Sequence, residues 1–459
     1  MINPILNIDS YKASHYLQYP PGAEFVSSYI ESRGGEYEES VFFGLQMFLK
    51  RYLSQPITRE HIEEAEAVLS AHGLPFNRAG WLHILDAHGG RLPLEVEAVP
   101  EGTRMPVSNV MVQVRNTDPA VPWLTSYIET AMLRAIWYPT TIATRSFECR
   151  ETIKRAMLET ADSLDGIEFK LHDFGARGVS SMESAEAGGA AHLLSFMGTD
   201  TINGITALRR YYAAEMPGFS IPAAEHSTIT CWGQERELDA YRNMLQQFAG
   251  PEKTVAIVSD SYDLFHAIEH LWGGELKDAV INNGGTVVIR PDSGDPADIV
   301  CESIRKLMDR FGYRENSKGY LVLPDYVRVI QGDGISPAQI RQILAVMKIH
   351  RFSADNVAFG MGGELLQNVN RDTMKFAMKA SAIRVDGQWS DVYKDPVTDK
   401  GKRSKRGRLA LVASKGAFMT VREADAPAGG NLLRPVFRDG ELLIDDTFDD
   451  IRARLQAHV

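Results

Sequence analysis

Cysteine, basic charge and long apolar runs are all scarce in this chain. Its 459 residues include three cysteines, Cys149, Cys231 and Cys301, an odd number with no CxxC spacing. That excludes a disulfide framework and a cysteine zinc site, and fits reduced thiols in a reducing compartment. Basic residues are outnumbered, 49 against 60 acidic, for a formal net charge of -11. A general nucleic-acid binder is usually basic, so an anionic substrate must be held by a local Arg and Lys cluster working against the global field. No run of about 18 apolar residues is present, so no membrane span is expected. The opening MINPILN lacks the charged start and apolar core of a signal peptide, and a cytoplasmic location is expected. There is no GxGxxG fingerprint and no GxxxxGK[ST] loop, so phosphate would be handled by other loops. His172, His192 and His226 lie far apart without i, i+4 pairing, and no direct metal motif is read. No fixed-period repeat and no Ser- or Pro-rich linker interrupts the chain.

Against those absences stands an ordinary globular composition, 44% hydrophobic, 24% charged and 9% aromatic. At this length two structural regions are expected. Between residues 169 and 363 one arrangement recurs: an apolar, strand-like run ends abruptly in Asp, Arg, His or Gly. The runs 169–171, 219–221, 255–258, 287–289, 326–330 and 357–359 end in HDFGARG, PAAEHST, SD, RPDSG, QGDG and GMGG. Helical patterns follow several of them, as at 297–311 and 337–348. Parallel strands joined by helices gather ligands at their carboxyl ends, so one fold can point all six tips into one cleft. The spacing predicts an α/β fold: an irregular (β/α) barrel with an additional mixed or antiparallel sheet domain built from both chain ends. The expected boundaries are an N-terminal α+β region over 1–150, a barrel-like catalytic region over 151–375, and C-terminal strands over 376–459. Those last strands are expected to pack with the N-terminal region and line the phosphate site. Asp386-Gly387 and Asp439-Gly440 mark hairpins.

Several tips carry chemistry, and each has a plainer reading beside it. Arg290-Pro291-Asp292-Ser293-Gly294 follows a strand and opens a helix, which offers amide donors to an anion, a cationic fork and an acceptor for ribose hydroxyls. An Asp cap beside a surface Arg fits the same residues. Gln331-Gly332-Asp333-Gly334 and Gly360-Met361-Gly362-Gly363 let backbone approach a ligand, or are ordinary turns. His226, among small residues and beside Glu225, can take a phosphoryl group or move a proton. Asp200 is either a helix cap or the acceptor of an amide N–H. The basic run 401–408 is either a solvated loop or a phosphate-facing one.

Taken together, the ordered motifs resemble the nicotinamide phosphoribosyltransferase family of type II phosphoribosyltransferases. The matches are DSYK at 9–12, ESR at 31–33, KLHDFGARGVSS at 170–181, GTDT at 198–201 and PAAEHSTIT at 222–230. VSDSYD at 258–263, IRPDSG at 289–294, RVIQGDG at 328–334, KDPV at 394–397 and KRSKRGRL at 402–409 complete the set. The resemblance implies transfer of the 5-phosphoribosyl group from 5-phosphoribosyl-1-pyrophosphate to nicotinamide, giving nicotinamide mononucleotide and pyrophosphate in NAD salvage. It implies ATP as a coupled co-substrate acting through phospho-His226, with Glu225 and Asp260 beside it. Mg²⁺ would be bound mainly through pyrophosphate, and the working unit would be a homodimer with shared active sites. Phe174 would stack one face of the nicotinamide and Tyr11 of a second subunit the other, while Asp200 and Arg290 contact the carboxamide. Arg177 would lie near phosphate, Asp292 and Asp333 near ribose hydroxyls, and Gly332 and Gly363 along the nucleotide backbone. Arg33, Arg371, Lys379, Lys394 and Arg408 would hold phosphate and pyrophosphate. Ala176, Met361, Glu364 and Ala377 depart from the family's usual Tyr, Ser, Gly and Ser, and Glu364 adds a negative charge beside a phosphate loop. Two alternatives stand: nicotinate (or quinolinate) as the accepted base, or a non-catalytic nucleotide-binding sensor. No nucleic acid or membrane partner is expected.

Overall fold

The computed structural model describes residues 3–398, 403–414 and 417–457; Gly401 and Lys402 of the basic run lie outside them. The chain divides into two compact units, one of residues 145–206 and 216–369, the other of 1–144, 207–215 and 370–459. The short segment Ala207–Glu215, inside the stretch expected as barrel-like, belongs to the second of these.

The unit of residues 145–206 and 216–369 is built on six parallel strands: β1 (Leu171–Asp173), β2 (Gly198–Thr199), β3 (Thr254–Val258), β4 (Thr286–Arg290), β5 (Val327–Gln331) and β6 (Val357–Met361). Their order across the sheet is β2-β1-β6-β5-β4-β3. Val255, Ile257, Val287, Ile289, Val329 and Phe359 are fully buried, as near-continuous apolar strands covered by helices require. Their alternates Ala256, Val288 and Ile330 form a second cluster with Phe174, Ile221 and Ala358. The expected strand at 219–221 is not a ladder strand. The segment 219–223 instead bonds to both edges of the sheet, through Thr199 N to Phe219 O (2.9 Å) on β2 and Ala256 N to Pro222 O (3.0 Å) on β3. Pro222 has no N–H to extend a ladder, and the segment changes neighbour within four residues, so it closes the irregular barrel by single bridges.

Two crossover helices are amphipathic. Pro296–Phe311 joins β4 to β5 and buries Val300, Ile304, Leu307 and Phe311; Pro337–Ile349 joins β5 to β6 and buries Ile340, Ile343, Leu344 and Met347. Each starts with Pro at its first turn after a capping side chain, Asp295 or Ser336.

The other unit carries a seven-stranded antiparallel sheet in the order Gln388–Asp391, Phe376–Val385, Ala23–Ser32, Val112–Asn116, Leu94–Ala98, Arg434–Arg438, Glu441–Leu442. It is thus woven from both chain ends. Asp386-Gly387 and Asp439-Gly440 all have positive φ and close the two expected hairpins, the geometry that matches strand twist. No described helix is long and apolar enough to cross a membrane.

Candidate active site

The strand ends of the parallel sheet bring together residues far apart in sequence. After β3, Asp260 accepts from His226 Nε2 at 3.0 Å, from the backbone N of Asp292 at 3.0 Å and from Ser293 Oγ at 2.6 Å. Its side chain is only 4% exposed, so three donors hold a carboxylate taken almost wholly out of water. His226 opens the short helix His226–Thr230 behind Glu225, and its ring remains 44% exposed. The second ring nitrogen, Nδ1, lies 3.7 Å from Asp292 Oδ2. Glu225 is exposed and accepts from Ser227 Oγ.

Asp292 is half-buried, and burial pushes its carboxyl above the ordinary range. Arg290 and His226 oppose that shift, while Asp260 and Asp333 reinforce it. Arg290 is 15% exposed, its nearest acid is Asp292 at 3.8 Å, and its Nε has no hydrogen-bond partner among the described residues. A largely buried guanidinium so loosely paired is equipped to take an acceptor from a ligand. The turn after it does not offer all the amides expected from the sequence: Asp292 N is taken by Asp260, and Ala297 N and Asp298 N by Asp295.

Phe174 follows β1, and its ring lies across β6 and β5. A Cβ at Gly360 would sit 2.0 Å from Phe174 Cε2, and one at Gly332 3.3 Å from it. Gly360 is thus required by the ring, not by the backbone, and neither glycine has positive φ. Asp173, just before the ring, is fully buried; burial pushes its carboxyl up to about 6, against the opposing bond from Gly175 N at 2.7 Å. Asp200 directly follows β2, and its own N donates to Asp173 O at 2.9 Å. One of its oxygens accepts from Ser220 Oγ at 2.5 Å. Gly363 packs against Gly178, whose Cβ would meet Gly363 Cα at 2.8 Å, and Arg177 beside it is exposed. The Glu364 carboxylate is engaged by Asn368 Nδ2 at 2.6 Å. Ser220 was not singled out from the sequence, and Ser293 and Gly360 were read only as members of their turns, with no role of their own; the i, i+2 alternation from Ala358 to Gly360 is the one signal that places Gly360 on the inward face.

In the other unit, Lys379 is half-buried, and burial lowers its ammonium below the ordinary lysine range. Glu129 opposes, while Arg33, Lys394 and Arg371 add to the lowering. Four of the five cations expected at phosphate are therefore electrostatic neighbours. Arg408 is occupied otherwise, bonded to Glu423 Oε2 at 2.6 Å with its guanidinium 5.7 Å from the Trp389 ring centre. Tyr11 is 56% exposed, with the Lys12 ammonium 5.4 Å from its ring. Among the described residues, no three acidic or imidazole groups converge at the strand ends to cage a metal ion.

The nicotinate phosphoribosyltransferase family model matches residues 169–441, and the nicotinamide phosphoribosyltransferase N-terminal domain model matches residues 3–96. A nicotinamide phosphoribosyltransferase of Xanthomonas campestris pv. campestris is 52% identical over 462 residues, covering 99% of this chain and 98% of the relative. In fold, the chain is similar to the nicotinate-nucleotide pyrophosphorylase of Pyrococcus furiosus, with a TM-score of 0.63 at 15% identity, covering 100% of this chain and 95% of that one. It is similar also to human nicotinic acid phosphoribosyltransferase, with a TM-score of 0.55 at 16% identity over 98% and 92% of the two chains. At such identities the two structures speak for the fold alone. Near-identical length and 52% identity speak for more: this chain belongs to the nicotinamide phosphoribosyltransferase family and is an enzyme of the pentosyltransferase class.

Proposed function

We propose that the chain transfers the 5-phosphoribosyl group of 5-phosphoribosyl-1-pyrophosphate to nicotinamide, releasing nicotinamide mononucleotide and pyrophosphate in NAD salvage. The observation that carries this reading is the pairing at the ends of β1 and β2. There an aromatic ring laid over glycine follows one strand, and a carboxylate with one oxygen engaged by Ser220 follows its neighbour. Phe174 offers a flat platform for a planar base, and the remaining oxygen of Asp200 accepts from an amide NH2. A ring carboxylate in the same place would be repelled by Asp200 at short range, which favours nicotinamide over nicotinate. Arg290 supplies a donor to the amide oxygen. Holding the ring removes orientational entropy as its nitrogen attacks ribose C1 from the face opposite the leaving pyrophosphate.

Charge developing on the leaving group calls for preorganised cations, and the cluster around Lys379 is suited to that. Mg²⁺ fits as an ion carried mainly by the pyrophosphate, whose charge it neutralises, because Mg²⁺ is commonly held through substrate phosphates and few protein ligands. Asp292 and Asp333, electrostatic neighbours, serve in this reading as acceptors for ribose hydroxyls. In the tautomer that donates Nε2–H to Asp260, the free lone pair of His226 is on Nδ1, and that nitrogen takes the phosphoryl group from ATP. The working unit in this reading is a homodimer, with Tyr11 of each subunit covering the ring held by Phe174 of the other. The location is cytoplasmic, and the acidic balance argues against nucleic acid as a partner.

The test is turnover with 5-phosphoribosyl-1-pyrophosphate, Mg²⁺ and either nicotinamide or nicotinate, with and without ATP. A kcat/KM favouring nicotinamide and raised by ATP is expected; preference for nicotinate overturns the reading.

A further inference from the structure

Away from the strand ends, three ligand-bearing side chains meet at one point in the unit that contains both chain ends. His83 and His88 lie on the helix Arg78–His88, five residues apart, and Asp118 lies in the loop after Val112–Asn116. Both imidazoles direct Nε2 to the same carboxylate oxygen, Asp118 Oδ2, each at 2.7 Å. The other oxygen, Oδ1, is engaged by Ala120 N at 2.8 Å, so the carboxylate is oriented by backbone and presents one oxygen to the two rings. The loop itself is anchored: Asn116 Nδ2 donates to Asp118 O at 2.8 Å, and Asn116 is fully buried. His88 is the last residue of its helix, followed by Gly89 with φ +59, which fixes where its ring emerges. The rings stand edge to face, with centroids 5.8 Å apart. The three side chains are 40%, 27% and 16% exposed, open enough to admit an ion from solvent.

We propose that His83, His88 and Asp118 form a binding site for a borderline divalent transition-metal ion, Zn²⁺ in the first instance. Two imidazoles with one carboxylate are a nitrogen-rich set that suits Zn²⁺ over Mg²⁺ or Ca²⁺, and three protein ligands leave a fourth position for water. An ion at roughly 2.0–2.1 Å from each atom needs ligand atoms about 3.3 Å apart. The 2.7 Å contacts therefore open by a few tenths of an ångström, within reach of side chains this exposed. Binding replaces two Nε2–H···O bonds by two N–metal bonds and one O–metal bond. Each imidazole then coordinates through Nε2 with its remaining proton on Nδ1. The ion ties the end of the helix Arg78–His88 to the loop after Val112–Asn116.

The experiment uses untagged full-length protein stripped with a chelator that is then removed, titrated with Zn²⁺ in excess Mg²⁺ by calorimetry, and with Co²⁺ by visible absorption. The expected result is one Zn²⁺ per chain, a four- or five-coordinate Co²⁺ spectrum, and a rise in Tm with added Zn²⁺. His83→Gln, His88→Gln and Asp118→Asn should each weaken binding by more than about tenfold, since losing even an outer partner of a metal ligand costs about 10–100-fold. Asp118→Asn keeps an oxygen for Ala120 N, so the loop is retained. His226→Ala should leave this binding unchanged. Absence of stoichiometric Zn²⁺ uptake by the wild type, or uptake equal in all three variants, overturns the proposal and leaves two histidines hydrogen-bonded to a carboxylate.

Discussion

Single atoms decide the chemistry of this site. Asp200 has one oxygen engaged by Ser220 and one to offer, and in the proposed reading its charge discriminates between an amide and a carboxylate. A hydrogen bond to a charged group is worth roughly 1.5–3 kcal/mol, or about ten- to more than a hundredfold in kcat/KM. Asp200→Asn should lower nicotinamide turnover by that order while nicotinate turnover holds or rises, read as the ratio of the two kcat/KM values. An unchanged ratio would make Asp200 a turn residue and place selectivity elsewhere. His226 is the other residue on which the proposed reading rests. Its replacement by Ala should abolish ATP stimulation and acid-labile protein phosphorylation while slower synthesis persists, because cleavage at C1 rests on electrostatics, not on a protein nucleophile. Acid-labile phosphate undiminished on the variant would remove His226 from that role.

At the scale of elements, the site depends on how a ring crosses two strand ends. Phe174 leaves β1 and lies over Gly360 of β6 and Gly332 beyond β5. A methyl group at 360 cannot coexist with the ring where it stands, and overpacking of this kind costs about 1–3 kcal/mol. Gly360→Ala should raise the nicotinamide KM about as Phe174→Ala does. The stability loss of Gly360→Ala should largely vanish in the Phe174→Ala background, because the clash has one partner. Additive losses in a double-mutant cycle read by denaturant unfolding would show that the ring does not set the size limit at position 360. The segment 219–223 has a comparable role: its single bridges to β2 and β3 carry Ser220 toward Asp200 and lead directly into Glu225 and His226.

Across the whole molecule, two predictions concern assembly and pH. If Tyr11 of one subunit covers the ring held by Phe174 of its partner, mixing Tyr11→Ala chains with Phe174→Ala chains should restore part of the activity, since one site of each mixed dimer is intact. Verified mixed dimers with no recovery would argue against a shared site. The pH prediction centres on Glu101, a buried carboxyl that accepts from Gln46 N at 2.7 Å and is pushed up to about 7, chiefly by burial. A carboxyl with a raised folded pKa binds more protons folded than unfolded between pH 4.5 and 7, so its contribution to stability falls as pH rises through that window. Glu101→Gln removes this loss. The stability of the variant relative to wild type should climb between pH 4.5 and 7 and stay level outside that range, measured by urea unfolding. A flat difference would place the ionised Glu101 in a compensated environment.

By itself the sequence determined the local grammar of the protein. Apolar runs with polar tips foretold five of the six parallel strands but not the two-residue β2, helical patterns after the tips foretold two crossover helices, and two Asp-Gly pairs foretold hairpins that both occur. These signals are legible because period and turn chemistry act over a few residues. The ordered motifs also made the family recognisable before any fold was known. Only the tertiary structure decided which tips meet. Asp260 is 34 residues from His226, and nothing local says that it also holds Asp292 and Ser293. The need for glycine at 360 comes from a ring 186 positions away, and the meeting of His83 and His88 at Asp118 crosses from a helix to a loop 30 residues on. The segment 219–223 reads as a strand yet serves two edges by single bridges, and the seven-stranded sheet pairs residues more than 350 apart. Such contacts are set by the packing of a twisted sheet and the closing of a barrel, which no window of sequence contains.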